Sequence, residues 1–293
     1  MIHFAFDAIG TSWRIDIDQD LSRDDSESLL EKIKERIESF EQNYSRFRKD
    51  SLVGKISRET GDFTMPSDAE KLFALYHDIY LKTGGLVTPF MGNLISDAGY
   101  DAEYSLTRKD ELRTPPTWDD VISFSHPTLT VKQPVMLDFG AAGKGYIVDI
   151  VGKLIEDNGM QNYCVDAGGD MLYKGKTPIR VGLENPWNMQ EMLGVYTLES
   201  GSICGSSGSR RAWGNFTHII NPHTKSSPTA IIATWVAAKD TFTADMLATC
   251  LFFIDPKQLT EYEFEYCILN SDHSIEKSEN FSDEIFSFLI SKA

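Results

Sequence analysis

The stretch that determines most about this chain lies near its middle and reads Asp138-Phe139-Gly140-Ala141-Ala142-Gly143-Lys144-Gly145. A strand-like run ends here, small residues follow, and a helical pattern of apolar residues begins at the lysine. Small residues let the backbone approach a ligand closely, and the N-terminus of a helix presents N–H groups and a partial positive charge. With the charge of Lys144 added, the segment suits a pyrophosphate. A tight turn with a solvated lysine is the equally weighted alternative.

The spacing in this segment excludes two familiar phosphate-binding motifs. Only two residues separate Gly140 from Gly143, and Gly145 stands where a P-loop has the serine or threonine that binds magnesium. The dinucleotide fingerprint of three spaced glycines is also missing.

A second informative segment, residues 243–249, carries a carboxylate and a hydroxyl on one helix face. Asp245 and Thr249 are four positions apart, so their side chains point the same way. Two such oxygens can serve a hard cation, since Mg²⁺ takes few protein ligands and completes its shell with water and phosphate oxygens. The alternative is an aspartate that complements the helix dipole and a threonine packed in the core.

Weaker signals surround these two. His218 stands beside a short strand-like run, where a structural imidazole is the usual case. Ser206-Ser207-Gly208 forms a small polar loop, and without a Gly-x-Ser-x-Gly elbow the chain lacks the signature of serine acyl transfer. Asp166-Ala167-Gly168-Gly169-Asp170 reads either as a turn or as a place where the backbone approaches a ligand.

Outward from this centre, helical and strand periodicities alternate irregularly, which predicts an α+β fold: a mixed β-sheet core with packed helices. We expect one domain over residues 1–293, because no linker or repeat interrupts the pattern. The predicted helices run from about 26 to 43, 67 to 84, 144 to 159, 243 to 253 and 283 to 289. The predicted strands lie within 4–17, in two pieces of 128–139 around Pro134, and at 162–165, 179–183, 193–198, 219–220 and 231–238.

Composition narrows the classes of partner. With 28 basic and 44 acidic residues the formal net charge is −16, which argues against nucleic acid and requires local positive charge at any phosphate site. The four cysteines are too widely spaced for a zinc site and are expected to be buried thiols. No run is long and apolar enough to span a membrane, and the first residues lack a signal-peptide pattern, so we expect a cytoplasmic protein or a processed chain.

Taken in chain order, five segments resemble the ApbE family, the FAD:protein FMN transferases. The resemblance extends from about residue 8 to about residue 253. The segments are Ser45-Arg46-Phe47 with Asp50-Ser51, Asp138-x-Gly140-x-x-x-Lys144-Gly145-Tyr146-x-x-Asp149, Asp166-Ala167-Gly168-Gly169-Asp170, His218-Ile219-Ile220-Asn221-Pro222 and Ala244-Asp245-x-x-Ala248-Thr249.

The resemblance implies the ApbE-like fold and a reaction in which FAD is a substrate. A serine or threonine hydroxyl of an acceptor flavoprotein would receive FMN, and AMP would leave. Mg²⁺ would be held by Asp245, Thr249 and the carbonyl of Ala141, and His218 would lie near the reacting phosphate as a proton acceptor. The residues implied for the FAD site are Phe47, Leu86, Val87, Thr88, Asp138, Lys144 and Ile219. An FAD pyrophosphatase, a non-catalytic FAD-binding protein and a protein without a ligand are the alternatives.

Four positions depart from the family pattern. Thr88 and Asn221 each replace an aspartate, Ser57 replaces an asparagine, and Lys225 replaces a glycine. Thr88 and Ser57 belong to the expected FAD pocket, where the departures leave open altered flavin affinity or a shift from transfer towards hydrolysis.

Overall fold

A computed structural model describes residues 1–281 and the backbone of Glu284–Ile285. Over this part of the chain the helices are α1 (Arg23–Tyr44), α2 (Leu52–Ile56), α3 (Ala69–Lys82), α4 (Gly92–Asp97), α5 (Trp118–Val121), α6 (Gly143–Asp157) and α7 (Thr241–Cys250). The strands are β1 (Ile2–Ala8), β2 (Thr11–Ile17), β3 (Gly61–Thr64), β4 (Ile122–Ser125), β5 (Thr128–Val131), β6 (Tyr163–Ala167), β7 (Met171–Lys174), β8 (Ile179–Glu184), β9 (Met192–Leu198), β10 (Gly201–Ser207), β11 (Ala212–Trp213), β12 (Phe216–Thr217), β13 (Ile231–Ala238), β14 (Phe264–Asn270), β15 (Ile275–Lys277) and β16 (Glu284–Ile285).

The predicted α+β class, with a sheet core and packed helices, is confirmed. A large sheet has the strand order β1-β2-β6-β7-β10-β13-β14-β15, and its paired strands run antiparallel rather than in the mixed directions that we expected. Antiparallel neighbours can be joined by short turns, which is why the chain builds much of this sheet from hairpins.

The chain folds into two compact units, and each unit is built from separate stretches of the sequence. The first unit holds residues 1–37, 142–210 and 229–293, and the second holds residues 38–141 and 211–228.

The first unit is organised by the large sheet and by helices α6 and α7, which pack on each other. The hairpin β1–β2 turns at Ile9 and Gly10, both with positive φ, the geometry that lets a tight turn follow the twist of the strands. Apolar residues alternate on β2, so Ile15 and Ile17 are fully buried. A smaller sheet of β16, β9 and β8 contributes a second buried cluster around Leu193 and Phe281.

The second unit has an aromatic core under the sheet β3-β5-β4. Phe139, which follows Asp138 in the central segment, meets the rings of Tyr44, Phe73 and Tyr76 edge-on at 5.3–5.6 Å. Edge-to-face packing of this kind is favourable beyond the area it buries. The core therefore fixes the backbone from which Asp138 projects.

Most predicted elements form, with three exceptions. The second strand after Pro134 is absent, because Val135 and Asp138 donate their N–H groups to the carbonyls of Ile56, at the end of α2, and of Pro89, at the start of a 3₁₀ turn. Ile219–Ile220 is not a strand either, since the Thr217 hydroxyl bonds both the N–H and the carbonyl of Ile219. The helix expected at 283–289 lies mostly outside the described residues, and Glu284–Ile285 pairs with β9 as a strand.

Strands β7 and β14 carried no prediction, and Ser206-Ser207, predicted as a polar loop, forms the end of β10 and pairs with β13. The four cysteines are free thiols; three are buried as expected, whereas Cys164 is half-buried. Among the described residues, no helix combines the length and the apolar character that crossing a bilayer requires.

Candidate active site

Helix α6 begins where the sequence predicted, and Lys144 lies in its first turn. Ala142 is the N-cap residue, and Lys144 forms an ion pair through Nζ with Oδ2 of Asp170. Asp170 is 1% exposed, whereas a quarter of the Lys144 side chain remains accessible. Lys144 is therefore not a solvated surface lysine; a buried carboxylate holds its ammonium group in place.

Asp170 is positioned by the turn of the β6–β7 hairpin. Gly168 and Gly169 have φ values of 68° and 101°, which residues with a Cβ rarely adopt. A Cβ on Gly168 would lie 1.9 Å from the hydroxyl oxygen of Thr11, so only glycine fits. The segment 166–170 is thus a hairpin turn that directs its last carboxylate to the start of α6.

The start of α6 is joined directly to α7. The backbone N–H of Gly145 donates a 2.9 Å hydrogen bond to Oδ2 of Asp245. A Cβ on Gly145 would lie 2.1 Å from the carbonyl oxygen of Thr241, so a side chain would force the helices apart. This N–H, expected from the sequence to be available for a phosphate, is used to hold Asp245.

Carboxylate side chains accept hydrogen bonds from the first backbone N–H groups of α7. Asp149, one helical turn beyond Gly145, accepts hydrogen bonds from the N–H groups of Thr241 and Phe242 at 2.9 and 2.8 Å. The N-cap residue Asp240 accepts another from Thr243 at 2.8 Å. These bonds fix the orientation of α7 and hence the place of Asp245.

Burial and mutual repulsion shape the charges of this cluster. Burial, followed by the charge of Asp170, raises the pKa of Asp245 to about 7, although Lys144 and the Gly145 N–H oppose the shift. Burial likewise raises the pKa of Asp149 to about 6. Burial alone would lower the pKa of Lys144, but the charges of Asp170 and Asp245 outweigh it and raise that pKa. The cluster holds more negative than positive charge, which favours a bound cation.

The oxygens of this cluster suit magnesium. Asp245 is 3% exposed, and Thr249 lies one turn further along the same face of α7. Oδ1 of Asp170 is buried and accepts no hydrogen bond from the described residues. Within that same part of the chain, no three His, Cys, Asp or Glu side chains group as a metal site. A magnesium ion needs only a few protein oxygens, because phosphate and water can complete its coordination shell.

Asp138 and Phe47 of the second unit are joined through Arg46. Arg46 is 8% exposed, and its Nε lies 2.5 Å from Oδ2 of Asp138. Its guanidinium carbon lies over the Phe47 ring, 4.1 Å from the centroid, a favourable cation–π contact. Two residues predicted for the FAD site, far apart in sequence, are thus held by one buried arginine.

The segment Leu86-Val87-Thr88 leads into the same region of the second unit. The Thr88 hydroxyl accepts a 3.3 Å hydrogen bond from the N–H of Phe90 and caps a short 3₁₀ turn. Pro89, the next residue, accepts the N–H of Asp138 at 2.7 Å. Because Asp and Thr are both N-cap residues, the departure at Thr88 keeps the capping oxygen and removes a charge.

His218 and Ile219 follow strand β12 in the second unit. His218 is half-buried, and its backbone N–H donates a hydrogen bond to the carbonyl of Arg211 at 3.2 Å. Ile219 is buried. Lys225, which replaces a glycine of the family pattern, has a φ of 55°. This is the left-handed backbone region that glycine adopts most readily. The Nζ of Lys225 donates to the carbonyl of Leu112 at 2.8 Å.

Three residues of these sites had no assigned role from the sequence. Arg46, Asp149 and Asp170 were seen only as members of motifs. Their roles depend on contacts across many residues, such as the 92-residue separation between Asp149 and Thr241. The available signal was their presence in the quoted segments.

Comparison with known proteins identifies the family. The model of the ApbE family matches residues 9–265. The chain belongs to the ApbE family. The resemblance inferred from five short segments is therefore confirmed.

Two curated proteins named FAD:protein FMN transferase match most of this chain. The FAD:protein FMN transferase of Vibrio cholerae is 25% identical over 268 residues, covering 85% of this chain and 80% of that protein. The FAD:protein FMN transferase of Escherichia coli K12 is 24% identical over 275 residues, covering 86% and 78%.

Solved ApbE structures share the fold. The flavin transferase ApbE from Vibrio cholerae superposes with a TM-score of 0.80 at 21% identity, over 96% of this chain and 97% of the other. The ApbE protein of Thermotoga maritima gives a TM-score of 0.80 at 22% identity, over 95% and 97%.

Proposed function

We propose that this chain is a magnesium-dependent FAD:protein FMN transferase. A serine or threonine hydroxyl oxygen of an acceptor flavoprotein attacks the FMN-side phosphorus of FAD. A new phosphoester bond forms as the bond to the bridging oxygen breaks, AMP leaves with that oxygen, and the hydroxyl proton passes to a base. Such transfers depend on alignment and on neutralising the charge of the phosphate oxygens.

One contact carries the proposal: the 2.9 Å hydrogen bond from Gly145 N–H to Asp245 Oδ2. It joins the lysine-bearing turn to the helix with the candidate metal ligands. Lys144 brings the local positive charge that a phosphate site on an acidic chain requires, and its ion pair with Asp170 holds the ammonium group in place. Preorganised charge of this kind stabilises a transition state more than the same charge in water does.

Asp245, Thr249 and the Ala141 carbonyl are the proposed magnesium ligands. When bound there, the ion would act as a Lewis acid at the phosphate oxygens. Ala141 immediately precedes the N-cap of α6, so its carbonyl belongs to the same turn as Lys144. The raised pKa of Asp245 supports this role, because a buried carboxylate without enough positive charge around it gains from a cation.

The proposed FAD contacts are Phe47, Leu86, Val87, Thr88, Asp138, Lys144 and Ile219. Phe47 offers an aromatic ring, and the 86–88 segment offers backbone groups beside a capped turn. His218 is the proposed proton acceptor, because an imidazole titrates near neutral pH and can take the hydroxyl proton. A rate profile that lacks an ionisation near neutral pH would remove this role from His218.

We propose that residues 1–293 act as one transferase domain. Each compact unit is assembled from separate stretches of chain, so neither is a continuous segment. Asp138 and Lys144 stand only six positions apart, in different units.

The decisive experiment combines the chain with FAD, MgCl₂ and an acceptor flavoprotein that bears a Ser/Thr flavinylation motif. Intact-mass analysis of the denatured acceptor is expected to reveal covalently attached FMN, with AMP released in equal amount. An acceptor whose target hydroxyl residue is changed to alanine is the control and should gain no mass.

The same assay discriminates the alternatives. Free FMN and AMP with an unmodified acceptor would indicate an FAD pyrophosphatase, in which water replaces the hydroxyl. Bound FAD without AMP would indicate a flavin-binding protein, and a chain that does not bind FAD would contradict all three.

A further inference from the structure

The loop of residues 98–113 in the second unit is anchored at both ends. Trp213 donates from Nε1 to the carbonyl of Ala98 at 2.7 Å, which holds the start of the loop. Asp97, just before it, accepts from Lys109 at 2.9 Å and from Arg113 at 2.6 Å. The tip is held as well, by the N–H of Leu106 on the carbonyl of Gly99 at 2.9 Å and the N–H of Ser105 on Oδ1 of Asp101 at 2.9 Å, so movement is left to its exposed side chains.

The tip of the 98–113 loop has an unusual backbone and exposed apolar side chains. Tyr104 and Leu106 have φ values of 52° and 49°, in the left-handed region that residues with a Cβ disfavour. Their side chains are 53% and 49% exposed. Because this backbone is locally unfavourable, contacts must hold the tip as it is.

The Tyr104 ring contacts two other rings. It meets Tyr100 edge-on with centroids 5.3 Å apart, and it stacks on Phe47 with an interplanar angle of 9° and centroids 5.6 Å apart. Tyr100 meets the edge of Phe47 at 5.5 Å, and the Arg46 guanidinium lies over its ring. Three side chains, those of Tyr104, Tyr100 and Arg46, therefore contact the Phe47 ring in this structure.

Those neighbours differ in how easily they can leave. Arg46 is buried and paired with Asp138, and Tyr100 is 7% exposed. Tyr104 is half in solvent and is the most exposed of the three, so rotating it away removes less apolar surface from contact than displacing Tyr100 would. A planar ring that stacks on Phe47 would thus replace Tyr104 rather than Arg46 or Tyr100.

We propose that Tyr104 is a gating residue for the flavin site: its ring occupies the place on Phe47 that a planar ring of FAD takes on binding. This inference rests on the proposed function, in which Phe47 contacts FAD. A flavin ring presents a larger π-surface than a phenol, so the exchange favours the dinucleotide. The fraction of molecules with Tyr104 on Phe47 lowers the apparent affinity for FAD.

The test is stopped-flow measurement of FAD binding, followed by flavin fluorescence, for Tyr104→Ala and the parent chain. Loss of one aromatic pair predicts an association rate constant about two- to tenfold higher for Tyr104→Ala. Tyr104→Phe keeps the ring and should restore the slower association. A merely destabilising substitution would not speed binding, so this readout separates gating from damage.

Leu106→Ala is the matched control, because it changes an exposed apolar residue with the same backbone conformation in the same tip. Its association rate constant should equal that of the parent. Association of Tyr104→Ala at or below the parental rate, while the parent binds FAD, would overturn the gate alone. A parent that does not bind FAD would contradict the proposed function itself and the gate with it.

Discussion

Gly145 and Asp245 are 100 positions apart in sequence, and the N–H of the first is hydrogen-bonded to the carboxylate of the second at 2.9 Å. The bond places a lysine-bearing helix start against a helix with two candidate metal ligands. The charge of Asp245 and the close packing at Gly145 each lead to a prediction that can be measured.

Removing the charge of Asp245 should greatly lower the rate of AMP release. Asp245→Asn keeps an oxygen for the Gly145 N–H but loses the carboxylate, so we expect kcat to fall about a hundredfold or more, as for other lost electrostatic stabilisers. Steady-state assays at limiting and saturating magnesium measure this. Turnover close to that of the parent at limiting magnesium would contradict the metal assignment.

Magnesium affinity should rise with pH through about 7. A metal ligand must be ionised, and the pKa of Asp245 is raised to about 7 by burial and by Asp170, so protons compete with the cation below that value. We expect about a tenfold weaker apparent affinity for each pH unit below about 7. Isothermal titration with MgCl₂ from acidic to mildly alkaline pH measures it, and a flat profile would speak against Asp245 as ligand.

Gly145→Ala should destabilise the first unit. The added Cβ would lie 2.1 Å from the Thr241 carbonyl oxygen, a backbone atom that cannot move aside cheaply. Overpacking of this kind costs about 1–3 kcal/mol, and a backbone clash belongs at the upper end. Denaturant unfolding measures the change in free energy.

Lys153→Ala provides the comparison for that variant within helix α6. Its side chain is 67% exposed and its ion pair with Asp157 lies at the surface, so its effect should be much smaller than that of Gly145→Ala. Equal stability of the two variants would contradict the tight approach of α6 and α7.

Acid should weaken the second unit through Asp97. Burial would raise the pKa of this carboxyl, but hydrogen bonds from Arg113 and Lys109 outweigh it and lower the pKa to about 2. An unfolded aspartate titrates near pH 4, so this stabilisation is present above about pH 4 and is lost as pH falls towards 2.

Asp97→Asn should therefore flatten the acid limb of the stability profile between about pH 4 and pH 2. Thermal unfolding at a series of pH values measures it. An unchanged slope in the variant would show that the acid sensitivity arises elsewhere.

Local patterns in the sequence predicted much of the fold. Helices α1, α3, α6 and α7 form within a few residues of their expected bounds, because apolar spacing and capping residues are local signals. The strand predicted at Ile219–Ile220 does not form, because the hydroxyl of Thr217 bonds the backbone N–H and carbonyl of Ile219 that a strand would use. Such competition depends on side-chain geometry, which periodicity does not encode.

The candidate site was predicted as segments, and the structure supplies the joins between them. Lys144 and Asp245 were both named, but their link through Gly145 and Asp170 requires contacts between elements distant in sequence. Arg46 illustrates the limit further, since a charged residue in a polar loop gives no sign that it will be buried over an aromatic ring. Tertiary packing decided these features, and local propensity could not.

The first three amides of helix α7 all bond to carboxylates of the chain itself, two to Asp149 and one to Asp240. Sulfate or inorganic phosphate, which commonly settle on exposed helix ends, find no donor there. Simple oxyanions should consequently not compete with FAD through this helix end, whereas polyphosphates that coordinate the proposed magnesium ion should compete at its site. That contrast gives inhibitor screening a direction: ligands that coordinate metal are preferable to ligands that merely carry negative charge.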